Sequence, residues 1–165
     1  MINLKQRENL IIRIKAMEEE AKQLGQSITF FCAYQSNQEF QPVKEIVKSF
    51  NQTFQLARAK LKRFGIEASG IKVTEPMKNG DPKFFIVLFS DPKNDQDIAE
   101  IINHCLSDSS FSLKSTSSPI TKSPQTKPFI DKRLTENSNL DRILCWSKAH
   151  QIRLVTFFGQ TETAN

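Results

Sequence analysis

The stretch from Gly70 to Phe89, GIKVTEPMKNGDPKFFIVLF, restricts the fold of this chain more than any other. It reads as two strands and a turn. On the first strand Ile71, Val73 and Glu75 alternate with Lys72 and Thr74. Met77 to Pro82 forms the turn: Asn79-Gly80 supplies the positive φ of a reversal, and Pro82 keeps Asp81 extended. On the second strand, Lys83 to Phe89, Phe84, Ile86 and Leu88 point one way and Phe85, Val87 and Phe89 the other. A strand apolar on both sides needs cover on both faces, which predicts a central position in a sheet.

At 165 residues, 38% hydrophobic and 25% charged, the chain is long enough for one globular domain with a substantial core. No apolar run approaches the length of a membrane span, and the N-terminal residues interleave apolar and charged side chains, unlike a secretion signal. A cytoplasmic location is expected. Cys32, Cys105 and Cys145 are odd in number and widely spaced, which predicts reduced, mostly buried thiols and no zinc site. The net charge of +5 suits an acidic partner such as nucleic acid.

In chain order, Leu4 to Leu24 reads as a helix with Leu10, Ile11, Ile14, Met17, Ala21 and Leu24 on one stripe, and with Glu18 to Glu20 on a solvated face. Ser27 to Tyr34 is strand-like. Asn37 to Gln41 is a loop. Pro42 opens a long helix with an apolar stripe of Val43, Ile46, Val47, Phe50, Phe54, Ala57, Leu61 and Phe64, ended by Gly65. Its last turns are basic: Arg58, Lys60, Lys62 and Arg63. These charges complement a helix C-terminus or face a phosphate backbone. After the hairpin, Asp91 to Asp95 caps a helix running to about Leu106, with His104 near its end as a dipole partner. Residues 107–128, rich in Ser, Thr, Lys and Pro, read as a flexible loop. Phe129 to Asp131 is a short strand candidate. Leu140 to Ala149 is a helix, in which Trp146 reads as a packing anchor. His150 lies in the loop after it, and Ile152 to Phe158 is a last strand.

Two of these stretches resemble the phage replication gene A family, the rolling-circle initiators of the His-hydrophobic-His class. That family carries Glu-Pro-His-His-Asp-Gly-Thr-Pro-His-Trp-His and then an apolar run ending in Phe. Here the matching residues are Glu75-Pro76-Met77-Lys78-Asn79-Gly80-Asp81-Pro82-Lys83-Phe84-Phe85, then Ile86 to Phe89. The closing Ala-Trp-Ala-Ser, Gly-Ile-Arg-Gln and Phe-Phe-Gly of the family are similar to Cys145-Trp146-Ser147, Ile152-Arg153 and Phe157-Phe158-Gly159. The resemblance covers Ser27 to Leu106 and Leu140 to Gly159, and residues 1–165 are read as a single domain of this type after an N-terminal helix in 1–25.

The resemblance implies an α+β fold: about five antiparallel strands with helices on one face, a ferredoxin-like rolling-circle-initiator core. It also implies a metal-dependent endonuclease that cleaves one DNA strand with a tyrosine on a late helix, using Mg or Mn. Two histidines at i and i+2 share a strand face and, with a neighbouring carboxylate, hold the metal. In this chain Lys83 and Phe85 stand at the histidine positions, and of that vestigial set Glu75 alone keeps a ligand side chain. No tyrosine follows Tyr34. The expectation is therefore a degenerate initiator domain with no catalytic residue, no metal and no cofactor. Its expected partner is single-stranded DNA, held by Arg58, Lys62, Arg63, Lys72, Lys78 and Lys83. Two alternatives stand beside it: an endonuclease rebuilt from Tyr34, Glu75 and a histidine, and a module that holds a protein partner in the vacated cleft.

Overall fold

A computed structural model describes residues 4–35, 41–120 and 140–159. The described chain runs α1 (Leu4–Gln23), β1 (Ser27–Gln35), α2 (Val43–Arg63), β2 (Ala68–Pro76), β3 (Pro82–Ser90), a 3-10 turn (Pro92–Asn94), α3 (Asp95–Asp108), β4 (Phe111–Pro119), α4 (Leu140–His150) and β5 (Val155–Phe158). The five strands form one antiparallel sheet in the order β4-β1-β3-β2-β5. β3 is thus the middle strand, as its two apolar faces require. The β1-α2-β2-β3-α3-β4 succession, with β4-β1-β3-β2 adjacent, is consistent with a ferredoxin-like core.

The two faces of β3 feed two cores. Phe84, Ile86 and Leu88 pack with Ile46, Phe50, Phe54, Ala57 and Leu61 of α2 and Ile98, Ile102 and Leu106 of α3. Aromatic rings tie α2 to the sheet: Phe50 stacks on Phe84 at 3.8 Å between centroids, and Phe54 meets Phe158 edge-on at 5.2 Å. Phe85, Val87 and Phe89 pack with Ile14, Met17 and Ala21 of α1. Helices α2 and α3 therefore share one face, while α1 covers the other, so the helices are not confined to one face as the resemblance implies: β3 leaves no face that water tolerates.

Periodicity overran the helices at their ends. Leu24 and Phe64, the last members of their stripes, are about two-thirds exposed at 66% and 65%. Glu18 departs from the expected solvated run: it is buried at 6%, because four residues after Ile14 it returns to the inward side of α1. Glu19 and Glu20 are exposed.

The larger correction concerns residues 107–128. Ser107 and Asp108 end α3, and Phe111–Pro119 is an edge strand paired with the whole of β1, from Ser27↔Pro119 to Gln35↔Phe111. Backbone pairing does not require apolar side chains. Phe111 and Leu113 reach the α2–α3 core, while exposed Lys114 and its Ser and Thr neighbours suit a polar sheet edge. Thr29 and Ser117 join their hydroxyls at 2.8 Å across the pair. Of the loop read at Asn37 to Gln41, residues 37–40 lie outside the described residues, as do the strand candidate Phe129–Asp131 and residues 121–128.

Candidate functional site

The β2–β3 hairpin closes as its residues dictate. Gly80 takes φ +90, Asp81 N–H donates to Asn79 Oδ1 at 3.0 Å, and Pro82, which has no N–H to offer, starts the strand. α4 grips this turn from outside. Trp146 Nε1–H donates to the Gly80 carbonyl at 2.8 Å, and Arg142 donates to the carbonyls of Met77 and Lys78 at 2.8 and 3.3 Å. Trp146 is thus an anchor, as read from the sequence, and Arg142 is a second one that the sequence reading missed. His150 ends α4 rather than lying in a loop, with its ring 5.8 Å from that of Trp146.

Register places the hairpin's polar residues together. Lys83 pairs with Glu75 on one side and Tyr34 on the other; Phe85 pairs with Val73 and Cys32. Directly opposed residues share a face, and so do residues two apart on a strand. Glu75, Lys83, Phe85 and Tyr34 therefore all lie on the α1 side of the sheet. Adjacent strands lie about 4.8 Å apart, so Tyr34, Lys83 and Glu75 form one short row. The Lys83 ammonium sits 5.3 Å from the centre of the Phe85 ring, a cation–π contact. Phe85 is 5% exposed and belongs to the α1 core.

The two histidines are elsewhere. His104 is on α3 beside Asp108 at 3.5 Å, and His150 is on α4. Among the described residues no three His, Cys, Asp or Glu side chains cluster as metal ligands. Cys32 and Cys105 are half-buried, and Cys145 is exposed, against the expectation of mostly buried thiols.

The six basic candidates fall into separate places. Lys83 lies on the α1 face and Lys78 is exposed at the hairpin turn. Lys72, which pairs with Ile86, points to the α2 face, where its ammonium donates to Asn51 Oδ1 of α2. It is only 9% exposed, and burial pushes it down to about 8. Arg58 lies against the ring of Phe158 at 4.9 Å, and partial burial lowers its pKa as well. Lys62 follows Arg58 by one helical turn, whereas Arg63 points about 100° further round α2. Lys44 and Lys48 share the side of α2 that carries Arg58 and Lys62. The sequence reading missed them because it followed the helical period for apolar residues alone.

No helix among the described residues is long and apolar enough to cross a membrane. No curated protein matches the chain. Residues 4–128 match the model of a family described as bacteriophage replication gene A protein. The match takes in α1 to β4 and the hairpin that carries Glu75, Lys83 and Phe85, and stops short of α4 and β5. Because it covers more than half of the 165 residues, the chain belongs to the bacteriophage replication gene A protein family.

Proposed function

We propose that this is a cytoplasmic replication gene A domain that has given up strand cleavage and retains electrostatic binding of single-stranded DNA. The observation that carries the reading is the donor chemistry of the Glu75–Lys83–Phe85 group. These three positions converge on one sheet face, yet a phenyl ring offers no lone pair and an ammonium repels a divalent ion. One carboxylate does not make a Mg or Mn site, so the residues do not fit the metal that the family resemblance implies. The nucleophile expected on a late helix is also missing, since the single tyrosine is Tyr34 in β1. The α1 side chains that pack with Phe85 and Val87 weigh against the alternative of a vacated partner cleft on that face.

The Tyr34–Lys83–Glu75 row favours one second reading. Attack of Tyr34 Oη on the phosphorus of a phosphodiester would form a 5′-phosphotyrosine and break the bond to the 3′-oxygen, which takes up the phenol proton and leaves as a 3′-hydroxyl. Neither histidine belongs to that row. Incubation with supercoiled plasmid and single-stranded oligonucleotides, with Mg²⁺ or Mn²⁺ and without, distinguishes the two. The expected result is intact DNA and no covalent adduct on denaturing gels. An adduct that disappears in Tyr34→Phe would overturn the reading in favour of the second.

A further inference from the structure

Helix α2 holds six basic residues against one acidic residue, Glu45, a surplus as large as the +5 of the entire chain. Four of the six are arranged with the helical period. Lys44, Lys48, Asn51, Gln55, Arg58 and Lys62 follow one another at steps of four, three, four, three and four residues. At 3.6 residues per turn these six fall within a sector about 80° wide and about 27 Å long. No apolar or acidic side chain interrupts it. The sector is the flank of α2 that meets the β5 edge of the sheet, as three contacts show. Lys44 Nζ reaches Gln151 Oε1 at 3.5 Å, Asn51 receives the Lys72 ammonium, and Arg58 rests on Phe158.

Among the described residues, none of Lys44, Lys48, Arg58, Lys62 or Lys72 lies within ion-pair distance of a carboxylate. Lys44, Lys48 and Lys62 are exposed, so they are free to reach an anion, while Arg58 and Lys72 beneath them are partly and largely desolvated. Aligned cations over a weakly solvated floor attract a linear polyanion more strongly than scattered surface charges do. The aromatic floor, Phe158, is buried at 6% and cannot stack a base, so the flank reads phosphates rather than sequence.

We infer that the α2–β5 flank, carrying Lys44, Lys48, Arg58 and Lys62, is the seat of a single-stranded DNA backbone. This rests on the DNA-binding part of the proposed function and assigns it to a place. The hairpin lysines and the Glu75–Lys83–Phe85 face are outside it.

The test is fluorescence anisotropy of a labelled mixed-sequence oligonucleotide titrated with the full chain at about 50 and 200 mM salt, where backbone contacts differ strongly. Lys44→Gln/Lys48→Gln/Lys62→Gln removes three exposed charges of the flank. Lys15→Gln/Lys22→Gln/Lys114→Gln removes the same net charge from exposed sites elsewhere. Circular dichroism checks that both variants fold as wild type does. The flank variant should lower the log–log salt slope by about 2, at about 0.7 per phosphate contact, and weaken binding at least about tenfold at the lower salt. The control should keep most of the wild-type slope. If wild type binds no oligonucleotide, the DNA-binding reading itself fails. If wild type binds and the two variants behave alike, binding is diffuse and this assignment is overturned.

Discussion

Lys72 offers a direct measurement of what the α2 face costs the fold. Its ammonium is buried beneath α2, and burial lowers its pKa from 10.5 to about 8. The unfolded chain holds this proton up to about pH 10.5, the folded chain only to about 8. Between those values the unfolded state binds more protons, so stability rises with pH. Below pH 8 the full penalty is present; at about 1.4 kcal/mol per pH unit it is about 3 kcal/mol. Lys72→Met keeps the length and apolar stem of the side chain and removes the charge. It also removes the hydrogen bond to Asn51, worth about 1 kcal/mol, although Asn51 is exposed and regains water. Lys72→Met should therefore be more stable than wild type at pH 7 by about 2 kcal/mol, or roughly 4–8 °C in Tm for a domain of this size. The assay is urea denaturation of both proteins at intervals from pH 6.5 to 10.5. The difference should be level up to about pH 8 and shrink as pH rises further. A difference that stays constant across this range, or a variant less stable than wild type at pH 7, would refute the account of Lys72 as a desolvated cation.

Two further outcomes follow from the geometry. Lys83→His with Phe85→His places two imidazoles on the face that carries Glu75, so Mn²⁺ or Co²⁺ should raise the Tm of the double variant and leave wild type unchanged; a folded variant indifferent to metal would mean that the three positions do not converge. Gly70→Ala puts a methyl group into the Val87 carbonyl oxygen and 2.6 Å from Phe158 Cζ, which should cost about 3 kcal/mol in urea denaturation; a loss under about 0.5 kcal/mol would show that β2 and β3 have room there.

What was legible in the sequence was whatever rests on alternation and period. β3 declared itself central because Phe84 to Phe89 is apolar on both sides, and the sheet order places it there. The same fact already required cover on two faces, and α1 supplies the second. β4 was illegible for the opposite reason. Its Ser, Thr and Lys residues have the composition of a linker, while its hydrogen bonds come from backbone that carries no residue signature. The hairpin group was legible through the spacing of Glu75, Lys83 and Phe85. Tyr34 joined that row only through the β1–β3 register, which depends on long-range pairing. The cationic flank was half legible: Arg58 and Lys62 stand within the basic run Arg58, Lys60, Lys62 and Arg63, and Lys44 and Lys48 join them only once α2 is viewed down its axis.

The clamp on the hairpin has a consequence for the order in which the molecule can be built. The donors that hold the Met77, Lys78 and Gly80 carbonyls, Arg142 and Trp146, are 64 to 66 residues further along the chain. The strand that closes the outer side of β2 is further still, pairing Gly70 with Phe158. These contacts form last during synthesis, because their C-terminal partners are the last of the described residues to be made. During synthesis the four strands β1 to β4 can assemble while β2 is still a bare edge with unpaired amides and carbonyls. A nascent chain paused there presents a sticky rim to other strands. The last twenty described residues, 140–159, do more than extend the sheet: they cap that rim and latch the turn beside it, and a polypeptide released before them is exposed to edge-to-edge association.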